Sequence, residues 1–62
     1  MFTKKEEEIM MLILEGCNNI EISEKLMINI HTVKAHVTSI LHELKVHNRI
    51  QAIIKYIALN KD

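Results

Sequence analysis

In sixty-two residues the chain has no proline and a single glycine, Gly16. These two residue types break helices and make tight turns, so their near absence favours long uninterrupted helices over turn-rich β structure. The expected architecture is all-α, one domain over residues 1–62 with helices at about 4–15, 19–26, 30–46 and 49–59. A chain this short buries only about 60% of its unfolded surface, so its core is marginal and association can supply part of the missing stability. Nearly half of the residues are apolar, which argues against disorder. The longest apolar run, Ile9 to Leu14, is far short of the ~20 residues of a membrane span.

Local signals set the helix starts. Thr3-Lys4-Lys5-Glu6 has capping-box spacing, and the acids Glu6, Glu7 and Glu8 sit where the helix dipole favours negative charge. Ile9, Met10, Leu12 and Ile13 form the inward stripe of helix one, and Gly16 ends it in the left-handed region. Asn18 or Asn19 caps helix two, whose buried pair is Ile22 and Leu26. Met27-Ile28-Asn29 is then a three-residue link, the length of a helix-turn-helix turn, although the usual glycine is missing from it.

Asn29 caps the third helix. Ile30, Val33, Val37, Ile40, Leu41 and Leu44 fall three or four residues apart and share one face, while His31, Ala35, Thr38 and His42 lie opposite with Lys34 on the flank. That second face is short, polar and uncrowded, as a surface that approaches another molecule closely should be. Helix four, capped by Asn48, has two apolar stripes. Ile50, Ile53, Ile54 and Ile57 are the expected core stripe, and Ala52, Tyr56 and Leu59 a second, nearly opposite stripe suited to self-association.

The charges are unevenly placed. Residues 1–24 hold two Lys against six Glu, a net of −4, and residues 25–62 hold six Lys or Arg against Glu43 and Asp62, a net of +4. All four histidines lie in the second part. Such asymmetry points to an electrostatic footprint for nucleic acid, though the total is zero. His31 and His42 are about 16 Å apart at roughly 1.5 Å per residue, and no histidine pair has the three- or four-residue spacing of a helical metal site, so no metal or cofactor is expected. The chain is too small for a catalytic pocket, and no Gly-rich phosphate loop or nucleophile motif occurs, so it is not expected to be an enzyme. The lone Cys17 cannot form an internal disulfide and reads as a small packing residue, with a reactive thiol as the alternative. Nothing at the amino terminus resembles a signal peptide, and a cytoplasmic protein is the expectation.

Gly16, Asn19, Glu21-Ile22, Leu26, Ile28, Thr32-Val33-Lys34, His36, Ile40, Leu44, Val46, Asn48-Arg49 and Ala52 together resemble the LuxR/NarL-type (GerE-like) helix-turn-helix DNA-binding domain. The resemblance runs from Phe2-Thr3 into helix four. It implies a four-helix domain that binds double-stranded DNA for a bacterial transcription regulator, with the third helix in the major groove and the fourth mediating a homodimer, which agrees with the Ala52, Tyr56 and Leu59 stripe read from spacing. Lys34, Ala35 and Thr38 correspond to base-contacting positions. Thr32, His36 and Arg49, with Asn18 and Asn19 at the start of helix two, correspond to backbone-phosphate positions. Lys45 joins the phosphate group by its charge, and His31 and His42 extend the DNA face. RNA polymerase and an N-terminal receiver or sensor domain are the further partners that such a regulator implies.

The sequence also departs from the family pattern. Ile20 stands where relatives often have lysine and Asn18 where they often have Ser or Pro, while Thr38 and His42 replace frequent Lys or Arg. The face therefore has few fixed charges, and a shallow salt dependence is expected. The alternative from another class is a protein-interaction module that keeps the fold and has lost DNA binding.

Overall fold

The computed structural model describes residues 2–61. Its four helices are α1 (Lys4–Leu14), α2 (Asn19–Leu26), α3 (Ile30–Leu44) and α4 (Arg49–Leu59), with no strand among the described residues. Each start follows from its cap. Thr3 Oγ1 accepts from the Glu6 N–H at 3.1 Å, and Glu6 Oε1 accepts in return from the Thr3 N–H at 2.8 Å. Asn18 and Glu21 close the same reciprocal box, both bonds at 2.8 Å, which makes Asn18 the cap and Asn19 the first residue of α2. Asn29 accepts from the His31 N–H and Asn48 from the Gln51 N–H. A cap of this kind is worth about 1 kcal/mol, and in so short a chain four of them matter.

The helix ends are set by left-handed residues. Gly16, at φ +91, lets the Cys17 N–H reach back to the Leu12 carbonyl and closes α1. Met27 and Lys45 hold the same region at φ 56 and 58, where a Cβ is strained. Their successors Ile28 and Val46 donate to the Ser23 and Leu41 carbonyls in the same way. Lys45 is the reason that α3 stops at Leu44, two residues before the expected end.

The third helix is the axis of the fold: α1, α2 and α4 each pack against it, and α1 also touches α4. Its inward face supplies Val33, Val37, Ile40 and Leu44 to the core, joined by Ile9, Met10 and Ile13 of α1, Ile22 of α2 and Ala52 of α4. Leu12, Leu26, Ile28 and Leu41 pack around this centre.

Helix four is turned the other way from the sequence expectation. Ala52 is fully buried and Tyr56 half-buried, whereas Ile50, Ile54 and Ile57 are 70%, 65% and 55% exposed. Of the expected core stripe only Ile53 packs inward. The inward positions are 49, 52, 53 and 56, a helical i, i+3, i+4, i+7 set. Two polar anchors select this face. Tyr56 donates its hydroxyl to Glu7 Oε1 at 2.7 Å and stacks on Phe2 with centroids 6.0 Å apart, and at the other end Arg49 bonds to the α1–α2 junction. Ala52 between them is small enough for α4 to lie close on α1 and α3.

Candidate nucleic-acid interface

With its apolar side sealed, α3 presents His31, Lys34, Ala35, Thr38 and His42 to solvent along one edge, all of them exposed. The fold brings the expected base-contacting residues Lys34, Ala35 and Thr38 together on that edge. Lys34 leans to one flank, where Gly16, Cys17, Asn18, Asn19, Ile20, Ile30 and Arg49 line an open hollow with it. Four expected contact residues from three helices and one junction (Asn18, Asn19, Lys34, Arg49) therefore meet around a single depression. The Asn18 side chain takes the Glu21 N–H, while the Asn19 and Ile20 amides, first in α2, have no intrahelical acceptor and retain the partial positive charge of a helix start. Ile20, 57% exposed, contributes apolar surface there instead of a cation.

On the other flank, helical spacing places Thr32, His36 and Ser39, of which Thr32 is exposed and His36 half-buried. This flank faces the start of α1. Ser39 donates to Glu6 Oε2 at 2.7 Å, so the carboxylate of Glu6, only 4% exposed, spans the α1 cap and α3. The Thr3 N–H, then the Ser39 hydroxyl, hold the Glu6 carboxyl below the usual carboxylate range against the opposing effect of burial, and the charge of His36 adds to the lowering. His36 is thus a neighbour of a buried acid as well as a candidate for phosphate. Beyond the end of α3, Lys45 is exposed and shares a shallow hollow with Leu41, His42, Val46 and His47, set apart from the Lys34 hollow.

The expected dimer residues do not form one surface. Ala52 has no exposure, and Tyr56 is committed to Glu7 and Phe2, with the Glu7 bond and then burial pushing its phenol pKa up. Leu59 alone is open, at 65%. Besides Leu59, the free apolar surface of α4 includes the Ile50, Ile54 and Ile57 stripe, which the sequence reading placed in the core.

Three long-range bonds were not foreseeable from the residues: Ser39 to Glu6, across 33 positions, and Arg49 to Asn19 and to Cys17, across 30 and 32. The capping box signalled that Glu6 is held locally, yet nothing local names Ser39 as its second donor. Among the described residues no group of three or more His, Cys, Asp or Glu could hold a metal ion, and no helix is long and apolar enough to cross a membrane.

Comparison with known proteins agrees with the resemblance. Residues 1–56 match the family described as bacterial regulatory proteins, luxR family. The transcriptional regulatory protein LiaR of Bacillus subtilis is 54% identical over 52 residues, which cover 84% of this chain and 25% of that protein. The response regulator protein VraR of Staphylococcus aureus is 48% identical over 54 residues, covering 87% of this chain and 26% of its own length, and VraR of Staphylococcus epidermidis gives the same values. The chain thus spans about a quarter of the length of the curated relatives it matches.

Proposed function

From the premise that this chain belongs to the luxR family of bacterial regulatory proteins, we propose that it is a sequence-specific DNA-binding domain of a transcription regulator. One observation carries the reading: the exposed edge of α3 and the start of α2 share a hollow in which Lys34, Arg49 and free helix-start amides converge. Such a surface fits a duplex whose backbone lies across the hollow while α3 enters the major groove. In that pose Lys34 donates to guanine O6 or N7, Ala35 meets a thymine methyl and Thr38 bonds a base edge. Thr32, His36, Lys45 and the α2 start serve the phosphates, Arg49 lies in the hollow beside that start, and His31 and His42 widen the contact. DNA as the partner places the protein's work in the cytoplasm.

The same reading makes the protein a homodimer. The occupant of the Ile50, Ile54 and Ile57 stripe is a second copy, which places two α3 edges on half-sites about one helical turn apart. A receiver domain and RNA polymerase are partners of the longer regulator to which such a domain is joined, in keeping with the name of VraR as a response regulator protein.

Fluorescence anisotropy on a random-sequence duplex at low salt tests the core of this. Non-specific affinity is roughly 10⁻⁴–10⁻⁶ M at physiological salt and tightens as salt falls, so binding within tens of micromolar protein is expected at low salt. On a site selected from a random pool, Lys34→Ala should cost about 1–3 kcal/mol and relax preference at one base pair. The competing role, an interaction module without DNA binding, is favoured by the zero net charge and by Ile20 in the hollow, and absence of binding at tens of micromolar protein would select it.

A further inference from the structure

Arg49 is the first residue of α4, yet its guanidinium faces the opposite end of the helix-turn-helix unit. Nη1 donates to Asn19 Oδ1 at 2.7 Å and Nη2 donates to the Cys17 carbonyl at 3.1 Å. Asn19 begins α2 and Cys17 follows the glycine that closes α1, so one side chain ties three helix termini together. The side chain is half-buried, and its planar fork matches two acceptors at fixed separation, which a single ammonium does not. Among the described residues no other side chain hydrogen-bonds α4 to this junction, and α2 packs on α3 with at most a marginal contact with α4. Ile50, the next residue, opens the exposed α4 stripe.

We propose that Arg49 is a positioning residue. It acts on DNA through Asn19 and Cys17, holding the α2 start and its free amides in line with Lys34, and it does not itself neutralise a phosphate. The role rests on the DNA-binding reading above and departs from the direct phosphate contact that the family resemblance implies for this residue. It also makes the α4 start and the phosphate-facing junction one body, so that pairing of two α4 helices carries both junctions with it.

A double-mutant cycle separates the two roles. Wild type, Arg49→Met, Asn19→Ala, the double variant and Arg49→Lys are titrated by anisotropy against one random-sequence duplex over a salt series, well below each variant's melting temperature. Positioning predicts that Arg49→Met and Asn19→Ala each weaken binding by roughly tenfold and that the double variant is no weaker than the worse single one, because contacting residues are coupled. Arg49→Lys should remain as weak as Arg49→Met, and the slope of log affinity against log salt should stay at the wild-type value in all of them. Losses that add, rescue by lysine, and a slope shallower by about 0.9 in Arg49→Met would overturn the proposal in favour of a direct phosphate contact. Where Arg49→Met does not fold, the cycle of Arg49→Lys with Asn19→Ala reads the same coupling. A wild type that binds no duplex defeats the DNA reading and this role together, whereas a binding wild type with additive losses defeats this role alone.

Discussion

Removing the Glu6 carboxylate should cost this protein a large part of its stability. The side chain is 4% exposed and makes two bonds that nothing else replaces: it accepts from the Thr3 N–H at 2.8 Å and from the Ser39 hydroxyl at 2.7 Å. In Glu6→Ala the reciprocal half of the α1 cap is lost, for about 1 kcal/mol. The Ser39 hydroxyl is left partly buried without its acceptor, for about 1–3 kcal/mol more. The expected loss is therefore about 2–4 kcal/mol, against a total of roughly 3–9 kcal/mol for a domain of this length at about 0.05–0.15 kcal/mol per residue. Urea unfolding followed by far-UV circular dichroism reads it directly. A loss under about 0.5 kcal/mol, typical of surface substitutions, would refute the reasoning. The sign of the pH dependence gives a second check. The folded state lowers the Glu6 pKa from an ordinary value of 4.5, so the carboxylate's contribution is fully present above that pH and fades as pH falls through the lower, folded value. Wild type should lose stability on acidification below about pH 4.5, and Glu6→Gln, isosteric but uncharged, should flatten that limb; coincident acid limbs would show that Glu6 is not the group responsible.

Two further outcomes follow from the backbone and from α4. Met27→Gly relieves a left-handed residue that is 90% exposed and whose side chain packs on nothing, and should raise stability by about 1 kcal/mol in thermal unfolding; an unchanged or lower melting temperature would contradict the strain. Ile54→Glu places a charge on the open stripe of α4, and, for the proposed homodimer, should leave the helical spectrum intact while reducing the sedimenting mass from dimer to monomer. A variant dimer as stable as wild type would move the interface elsewhere.

What the residues alone made legible was whatever is local. Caps and the residues they serve lie within three positions of each other, so Thr3, Asn29 and Asn48 announce themselves, and Asn18 or Asn19 is narrowed to two. The inward face of α3 was equally plain, because its apolar positions face a clear run of polar ones. The orientation of α4 was not, since apolar residues occur on both of its sides and hydropathy ranks isoleucine above alanine and tyrosine. The winning face is decided by Tyr56 reaching Glu7 and Arg49 reaching Asn19, bonds that span 49 and 30 positions and have no local signature. The early stop of α3 has a similar cause: Lys45 carries no mark of the left-handed turn that the surrounding carbonyls impose on it. For the candidate site, the edge of α3 was readable and its supports were not. Glu6 was visible only as half of a cap, and Arg49 as a cation.

The Ser39–Glu6 bond gives α3 an azimuth. A helix held solely by aliphatic neighbours can roll by a few degrees at little expense, since grease meets grease throughout the motion, but a partly buried hydroxyl donating to a single buried carboxylate oxygen has one setting. Lys34, Ala35 and Thr38 lie outside this keyway and outside the core, exposed along the far edge of the same helix. The proposed reading letters and the dial stop are therefore separate parts. A combinatorial library at positions 34, 35 and 38 that leaves Glu6 and Ser39 untouched should yield folded domains with exchanged sequence preference, each presenting its new side chains at the original angle.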